Sequence, residues 1–389
     1  MLFDTAAKIL ETGYICDHCL GRQFAKLVSD KTNEEKGKII REFVTIAHQS
    51  NKTEADESNF KDSENQKCAV CLNVFSDLPK ISKDVLDSVK KIDFETFLVG
   101  IKMNDPLVIN EETLWENVGM KYSESIKTEM GREITKIVLS KKGKKVEHNR
   151  PDVLIIFDMS TKKLEIFPNS IFVHGEYKKY VRGLPQTSSK RHGKAVQDII
   201  AKPFIAKTKA KEHTLHALGR EDKDARCLVW RPFVLELKGP IKRKLDLVEI
   251  KKQINKGAKV KVNNLRITKK GEIAVLKSKM PYKVYSIVVD FEEPLKSPEN
   301  VKKLVGNVKQ RTPSRLLSSK TERAKNKKVK SIKWKRINNI RYRFEITTES
   351  GMFVNELISG DFGRTVPSLG KVLGNRAKIK EFDLIGLEE

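Results

Sequence analysis

Residues 219–226, Gly-Arg-Glu-Asp-Lys-Asp-Ala-Arg, form a charged cluster that leads into the apolar run 233–237, Phe-Val-Leu-Glu-Leu. Around this run, short apolar and β-branched stretches alternate with stretches of helical periodicity, without a regular strand–helix–strand rhythm. The predicted strands cover residues 233–237, 259–267, 273–276, 282–291, 337–347 and 382–387, and the predicted helices cover 195–200, 247–254, 297–304 and 353–358. This pattern predicts an α+β domain built on a mostly antiparallel sheet.

The cluster at 219–226 combines three carboxylates with three cations. In a basic protein, acids in a groove that binds a polyanion would repel the ligand, so they need a chemical or metal-binding role or must point away. A salt-bridged turn is the alternative interpretation. The sequence has no Walker loop, no G-x-G-x-x-G after a strand, no H-E-x-x-H and no G-x-S-x-G. These absences exclude the common nucleotide-dependent and hydrolase classes.

The chain is strongly basic, with 77 Lys and Arg against 51 Asp and Glu in 389 residues, a net charge of +26. A charge of this size favours a nucleic-acid partner, with a Lys-rich proteome as the alternative explanation. Half of the excess lies in residues 301–336, which hold fourteen Lys or Arg and one acid. Within it, residues 320–330, Lys-Thr-Glu-Arg-Ala-Lys-Asn-Lys-Lys-Val-Lys, are predicted to be a loop or hairpin tip that contacts phosphate, or else a solvated loop.

Four of the five cysteines form two C-x-x-C pairs, namely Cys16, Cys19, Cys68 and Cys71. The two-residue gap lets both thiolates of a pair face one metal ion, and two such pairs complete a tetrahedron. Between the pairs lie two helix-like stretches, 20–28 and 33–48, and an acidic loop, 50–67. We therefore predict a structural zinc site that closes a helical insertion, with a redox pair or free thiols as the alternative. Cys227 stands alone and is predicted to lie in the core.

Composition and pattern divide the chain into three predicted domains. The zinc-binding module covers 1–80. The small α/β domain at 81–190 alternates strands with helices, and it ends in a basic segment that contains Tyr177 and Tyr180, for which ordinary packing is the alternative to a binding role. The antiparallel α+β domain covers 191–389.

No stretch of 18 apolar residues exists, so no membrane span is predicted. The first ten residues include Asp4 and are too polar for a signal peptide. We expect a cytoplasmic protein that acts as a monomer.

Six motifs, in order along nearly the whole chain, resemble the archaeal and eukaryotic tRNA pseudouridine synthase family numbered ten. Residues 14–24 together with 68–71 resemble its zinc module, and 181–187, Val-Arg-Gly-Leu-Pro-Gln-Thr, resemble a signature of its THUMP-containing RNA-binding domain. Residues 219–233 resemble its catalytic motif, and 283–285 resemble the strand with its active-site tyrosine. The last two matching segments are 310–315 and 360–365.

The resemblance implies conversion of uridine to pseudouridine in the TΨC arm of tRNA, at position 55 and also at position 54. It assigns the essential carboxylate, as nucleophile or general base, to Asp222, with Asp224 as the fallback. The target uridine must be flipped out, and Tyr285 would stack on it and could move a proton. The resemblance further implies structural Zn²⁺ and no organic cofactor. It assigns substrate contacts to Arg220, Asn355, Phe353, Arg364 and Arg182.

The sequence departs from the family at 351–355, Gly-Met-Phe-Val-Asn, where the family reads G-T-Y-I-K. Neutral Asn355 replaces the cation that would keep the catalytic carboxylate ionised, so another cation must serve, and Arg220 and Arg364 are the candidates. Residues 188–192 contain no cysteine, so no second metal site is expected.

Two other functional classes compete with the synthase. Asn355 favours a non-catalytic tRNA-binding or chaperone protein descended from a synthase. A THUMP-bearing methyltransferase or thiolase would need a glycine-rich cofactor loop, which is absent.

Overall fold

The structure is a computed structural model that describes residues 2–27, 30–50, 66–141, 143–188, 193–317 and 321–389. The chain forms two compact units, Met1–Asn169 and Ser170–Glu389, each with its own sheet. The predicted acidic loop lies almost entirely outside the described residues, as does most of the segment 188–192. Among the described helices, none is long and apolar enough to cross a membrane.

The first unit packs helices on a four-stranded sheet. Its helices are α1 (Leu2–Glu11), α2 (Asp17–Arg22), α3 (Asn33–Ser50), α4 (Leu78–Lys90), α5 (Asp105–Val118) and α6 (Ile126–Leu139), and its strands are β1 (Thr96–Lys102), β2 (Lys145–Val146), β3 (Val153–Asp158) and β4 (Lys163–Pro168). The strand order is β2-β1-β3-β4, with β1 parallel to β2 and β3, and β4 antiparallel to β3. Val153, Ile155 and Phe157 alternate into the core, which explains why this apolar run forms an inner strand.

The second unit is built on a ten-stranded sheet. Its elements are β5 (Ile171–Lys179), α7 (Val196–Thr208), β6 (Glu212–Ala217), β7 (Arg226–Lys238), α8 (Leu247–Lys256), β8 (Val260–Thr268), α9 (Gly271–Ser278), β9 (Tyr282–Phe291), β10 (Gly306–Arg311), β11 (Ala324–Arg336), β12 (Arg341–Thr348), α10 (Val354–Ser359), β13 (Thr365–Val366), α11 (Leu369–Leu373) and β14 (Ala377–Glu388). The strand order is β13-β10-β11-β12-β9-β14-β7-β5-β8, with β6 paired to β7. Only the β7–β14 pairing is parallel among these strands. The predicted α+β fold on a mostly antiparallel sheet is confirmed.

The two halves of this sheet carry separate cores. One core contains residues of β9, β10, β11, β12 and β14 together with α10 and α11. The other contains residues of β5, β6, β7 and β8 together with α7 and α8. The halves meet where β14 pairs with β7, through Asp383 opposite Arg226 and Leu384 opposite Cys227. Cys227 is buried there, as predicted.

The structure groups the predicted domains into two compact units. Cys19 and Cys68 from the predicted zinc module and Phe97 and Met130 from the predicted RNA-binding domain belong to one buried cluster. The strand β5 lies in the segment assigned to the domain that ends at 190, but it pairs with β7 and β8 in the second sheet, and the units divide between residues 169 and 170. Composition along the chain could not reveal this long-range pairing.

Two local predictions are wrong. The apolar run 273–276, predicted as a strand, lies in the helix α9. The prediction was wrong because a run of only four apolar residues is compatible with either a strand or a helix. The lysine-rich run 320–330, predicted as a loop or hairpin tip, lies from Ala324 onward in β11. Residues 324–329 pair with β10, and β12 pairs with β11 from Val329 onward, while the lysine side chains of the run remain largely exposed.

Candidate active site

The charged cluster forms the loop between β6 and β7, and a buried arginine anchors the first half of this loop. Arg231 on β7 is fully buried and donates hydrogen bonds to the carbonyl oxygens of Leu218 (2.6 Å) and Gly219 (2.8 Å). It also donates to Oε2 of Glu221 at 2.5 Å. Gly219 adopts a φ of +67°, which favours glycine. Glu221 is therefore an internal anchor, and the salt-bridged interpretation is correct for this member of the cluster.

A buried lysine anchors the second half of the loop. The Nζ of Lys179, at the end of β5, donates to the carbonyl oxygens of Asp222 (3.2 Å), Lys223 (3.1 Å) and Leu184 (2.9 Å). Burial lowers the pKa of Lys179, and the Glu221 carboxylate, 3.5 Å away, opposes that shift. Since Leu184 belongs to the Arg-Gly-Leu-Pro-Gln-Thr segment, one ammonium group connects two of the motifs found in the sequence.

Three neighbours hold the Asp222 carboxylate. Its Oδ1 accepts a hydrogen bond from the backbone N–H of Asp224 at 3.1 Å, and its Oδ2 accepts one from Nδ2 of Asn355 at 3.1 Å. Nη2 of Arg315 lies 3.8 Å from the same Oδ2. The Asp222 side chain is 24% exposed. Two N–H donors and a cation therefore surround a carboxylate that a substrate can still reach.

Arg315 supplies the cation that Asn355 lacks, and the sequence analysis did not identify it. Arg315 lies in a short 3-10 helix after β10, and its Nε also pairs with Oε1 of Glu356 at 2.8 Å. Glu356 is buried next to Asn355 on α10. The available signal was its place at the end of the 310–315 motif, but only the fold brings this arginine to Asp222.

The two arginines proposed for this role do not fill it. Among the described residues, neither Arg220 nor Arg364 forms an ion pair with Asp222. Arg364 donates to the carbonyl oxygen of Thr312 at 2.9 Å and pairs with Glu322 at 2.5 Å. Arg220 is exposed.

Tyr285 provides an aromatic ring on β9, where its ring centroid lies 6.1 Å from that of Phe382. Burial raises the pKa of Tyr285, and the nearby charge of Asp222 acts in the same direction. The phenol therefore keeps its proton at neutral pH. Two residues earlier, on the same face of β9, burial lowers the pKa of Lys283 to about 8, and its Nζ lies beside Gly219 under the loop.

Two other predicted substrate contacts are engaged within the protein. Arg182 pairs with Asp383 at 2.8 Å and donates to the carbonyl oxygen of Asp224 at 3.2 Å. Phe353 donates its backbone N–H to Oε1 of Gln310 at 2.8 Å, and its carbonyl accepts from Nε2 of the same glutamine at 2.9 Å. Arg182 thus ties the loop to β14, and the Phe353 backbone fixes the start of α10.

The four predicted metal ligands come together in the first unit. The Sγ atoms of Cys16, Cys19, Cys68 and Cys71 all lie within 4.8 Å of one another. The Sγ atoms of Cys16 and Cys71 are 3.6 Å apart, close to the edge of about 3.8 Å of a tetrahedron with metal–sulfur bonds of about 2.3 Å. The backbone N–H groups of Cys16 and Cys71 also approach Sγ of Cys68, at 3.3 Å and 3.5 Å. The cluster therefore fits a metal ion with four sulfur ligands.

Comparison with known proteins extends over both units. The family model of the Pus10 C-terminal region matches residues 172–388, and that of the archaeal Pus10 THUMP domain matches residues 81–158. The "tRNA pseudouridine synthase Pus10" of Pyrococcus furiosus is 34% identical, over 99% of this chain and 97% of its own length. The protein of the same name from Thermofilum pendens is 32% identical, over 99% of this chain and 95% of its own length.

A solved Cbf5–Nop10–Gar1 complex aligns with 55% of this chain and 48% of that chain, at 16% identity and a TM-score of 0.33. That score is too low to bear on the fold. The family models and the full-length relatives suffice, and the chain belongs to the Pus10 family of tRNA pseudouridine synthases.

Proposed function

We propose that this enzyme isomerises uridine 55, and also uridine 54, to pseudouridine in the TΨC arm of tRNA. The observation that carries the proposal is the Asp222 carboxylate, hydrogen-bonded to Asn355, 3.8 Å from the Arg315 guanidinium and partly open to solvent. The relatives are named tRNA pseudouridine synthases, and the chain is strongly basic. Both observations support RNA as the substrate.

The reaction breaks the N1–C1′ bond of uridine, rotates the uracil and forms a C5–C1′ bond. The proton on C5 is released to solvent and N1 takes up a proton, so the product is an isomer of the substrate. It is redox-neutral, so it needs no organic cofactor. Asp222 would act on the sugar or the base as a nucleophile or general base. The ring of Tyr285, whose hydroxyl keeps its proton, would stack on the flipped uracil and hold it against the Asp222 carboxylate.

A non-catalytic tRNA-binding protein was the alternative that Asn355 favoured. Arg315 weakens that alternative, because a cation does approach Asp222. An unmodified tRNA transcript labelled with tritium at C5 of uridine distinguishes the two, since only isomerisation releases the label. Transcripts with cytidine at position 54 or at position 55 assign the release to each uridine. Release from neither position would refute the proposal.

We propose that Cys16, Cys19, Cys68 and Cys71 hold one Zn²⁺ ion. The sulfur-only donor set and its near-tetrahedral spacing support zinc. Four protein ligands leave no open coordination position, so the ion would stabilise the first unit and take no part in the chemistry at Asp222.

We further propose that β11 provides part of the tRNA-binding surface. Lys325 and Lys328 are exposed, and among the described residues neither forms an ion pair. Lys327 and Lys330 pair with Glu349 at 2.5 Å and Glu388 at 2.9 Å.

Replacement of Lys325, Lys327, Lys328 and Lys330 by Ala should lower the slope of log K for tRNA against log salt by about 3 to 3.5, since each of the four phosphate contacts contributes about 0.7 to 0.9. Salt-dependent binding measurements test this. A matched variant carries the same change at four exposed lysines outside β11, Lys252 and Lys256 on α8 and Lys269 and Lys270 between β8 and α9. An unchanged slope in the β11 variant, or an equal fall in both variants, would show that β11 forms no specific phosphate contacts.

Replacement of Arg315 by Met should lower kcat by about 10-fold to 100-fold at neutral pH, because Asp222 would lose its cation. Arg315→Lys should retain most activity, and Asn355→Lys should restore part of the loss in the double variant Arg315→Met/Asn355→Lys. If Arg315→Met keeps wild-type activity, or if Asn355→Lys restores none of the loss, the arginine does not serve as the cation of Asp222.

A further inference from the structure

A turn with four consecutive residues at positive φ precedes β13. The φ angles are +83° at Gly360, +42° at Asp361, +54° at Phe362 and +84° at Gly363. Left-handed backbone is easy for glycine but strained for Asp and more so for a bulky Phe. The side chain of Phe362 is 99% exposed, the highest value among the described large hydrophobic residues. The free protein thus holds an aromatic ring in solvent on a strained backbone.

Hydrogen bonds fix this turn. The Asp361 carboxylate accepts from the backbone N–H of Ser314 at 2.8 Å and from the Ser314 hydroxyl. The carbonyl oxygen of Arg364 accepts from the backbone N–H of Arg311 at 2.8 Å. Since the turn is held at both sides, the ring of Phe362 is presented at a defined position.

Hydrogen bonds connect the turn to the candidate active site. Ser314, which binds the turn, directly precedes Arg315, whose guanidinium lies 3.8 Å from the Asp222 carboxylate. The backbone of Arg311 bonds to Arg364 after the turn and that of Arg323 bonds to Thr312, and both arginine side chains are exposed and, among the described residues, form no ion pair. An exposed apolar ring together with exposed guanidinium groups suits the alternation of bases and phosphates in an RNA strand.

We propose that Phe362 is a base-stacking site that binds an unpaired nucleobase of the substrate RNA beside the flipped uridine. This inference rests on the proposed function. A uridine that leaves the stack exposes the faces of its neighbours, and an aromatic ring can cover one of them whatever the base. Phe362 thereby holds the opened arm while Arg311 and Arg323 contact its phosphates.

The test uses the full chain and a TΨC stem-loop transcript with 2-aminopurine at the residue flanking the target uridine. Stacking on Phe362 should change the fluorescence of 2-aminopurine on binding, and Phe362→Ala should abolish this change and weaken stem-loop binding about 10-fold. Phe362→Trp should keep both properties, and Phe362→Leu should keep neither fully, because leucine has no π face. Since the ring is exposed, none of these changes should lower the thermal stability.

A matched control is Val275→Ala, which removes another exposed apolar side chain, on α9, and should bind like wild type. Unchanged affinity and fluorescence in Phe362→Ala, or equal losses in the Ala and Trp variants, would overturn the stacking site. Tritium release by the wild-type protein is scored separately. Its absence would refute the proposed function, whereas release with an unaffected Phe362→Ala variant would refute only this inference.

Discussion

Replacement of Asp222 by Asn should lower the rate of pseudouridine formation by about 1,000-fold to 10,000-fold. The amide keeps the size of the side chain and can still bind its neighbours, but it cannot act as a nucleophile or base. Affinity for tRNA should hold or rise slightly, because one negative charge is lost from a surface that binds a polyanion. Single-turnover tritium release and equilibrium binding measure the two effects separately.

Asp224→Asn is the matched control for this change. Asp224 contacts Asp222 through its backbone N–H, which the substitution leaves in place. Asp224 itself is exposed. Substantial turnover should therefore remain. Activity that survives in Asp222→Asn but is lost in Asp224→Asn would show that the catalytic acid is Asp224. Survival in both variants would remove the cluster from the chemistry.

Removal of the metal, by chelation or by Cys71→Ser, should unfold the first unit before the second. Cys19, Cys68 and Cys71 are buried members of the core of that unit. A structural zinc site contributes about 10 to 16 kcal/mol in small domains, as much as the whole stability of a typical domain. Elemental analysis should find one zinc per chain, and thermal unfolding should show an early transition once the metal is removed.

Cys227→Ala provides the control for the zinc measurement, since Cys227 lies in the second unit and outside the cysteine cluster. It should keep one zinc per chain. A wild-type protein without zinc, or with a disulfide between Cys16 and Cys19 in reducing buffer, would contradict the metal site.

The fold was predictable wherever one face of an element is buried. The apolar and β-branched stretches of β9 and β12 indicated strands, and Ile287, Val289 and Phe291 in β9, like Tyr342, Phe344 and Ile346 in β12, pack into one core. The same reasoning failed for β11, whose lysines give no such signal and whose place depends on pairing with β10 and β12. It also failed for β5, which local composition joined to the preceding domain although its partners follow it in the sequence.

The candidate site was predictable to the extent that short motifs carry it. The motifs identified Asp222, Asn355 and Tyr285, and the structure brings Asn355 into contact with Asp222. Arg315 lies in one of the motifs, but neither its role nor that of Lys179 follows from the motifs. Both roles depend on which atoms the fold brings to the loop.

The parallel contact between β14 and β7 has a consequence for the order of folding. Each half of the sheet can bury its own core, but the registration of the halves depends on Asp383 and Leu384 meeting Arg226 and Cys227, far apart in the sequence. Closing so long a loop is slow compared with forming hairpins such as β11–β12. The loop with Asp222 belongs to one half, while Arg315 and Asn355 belong to the other. The catalytic group is therefore complete only once the two halves meet at the β7–β14 contact.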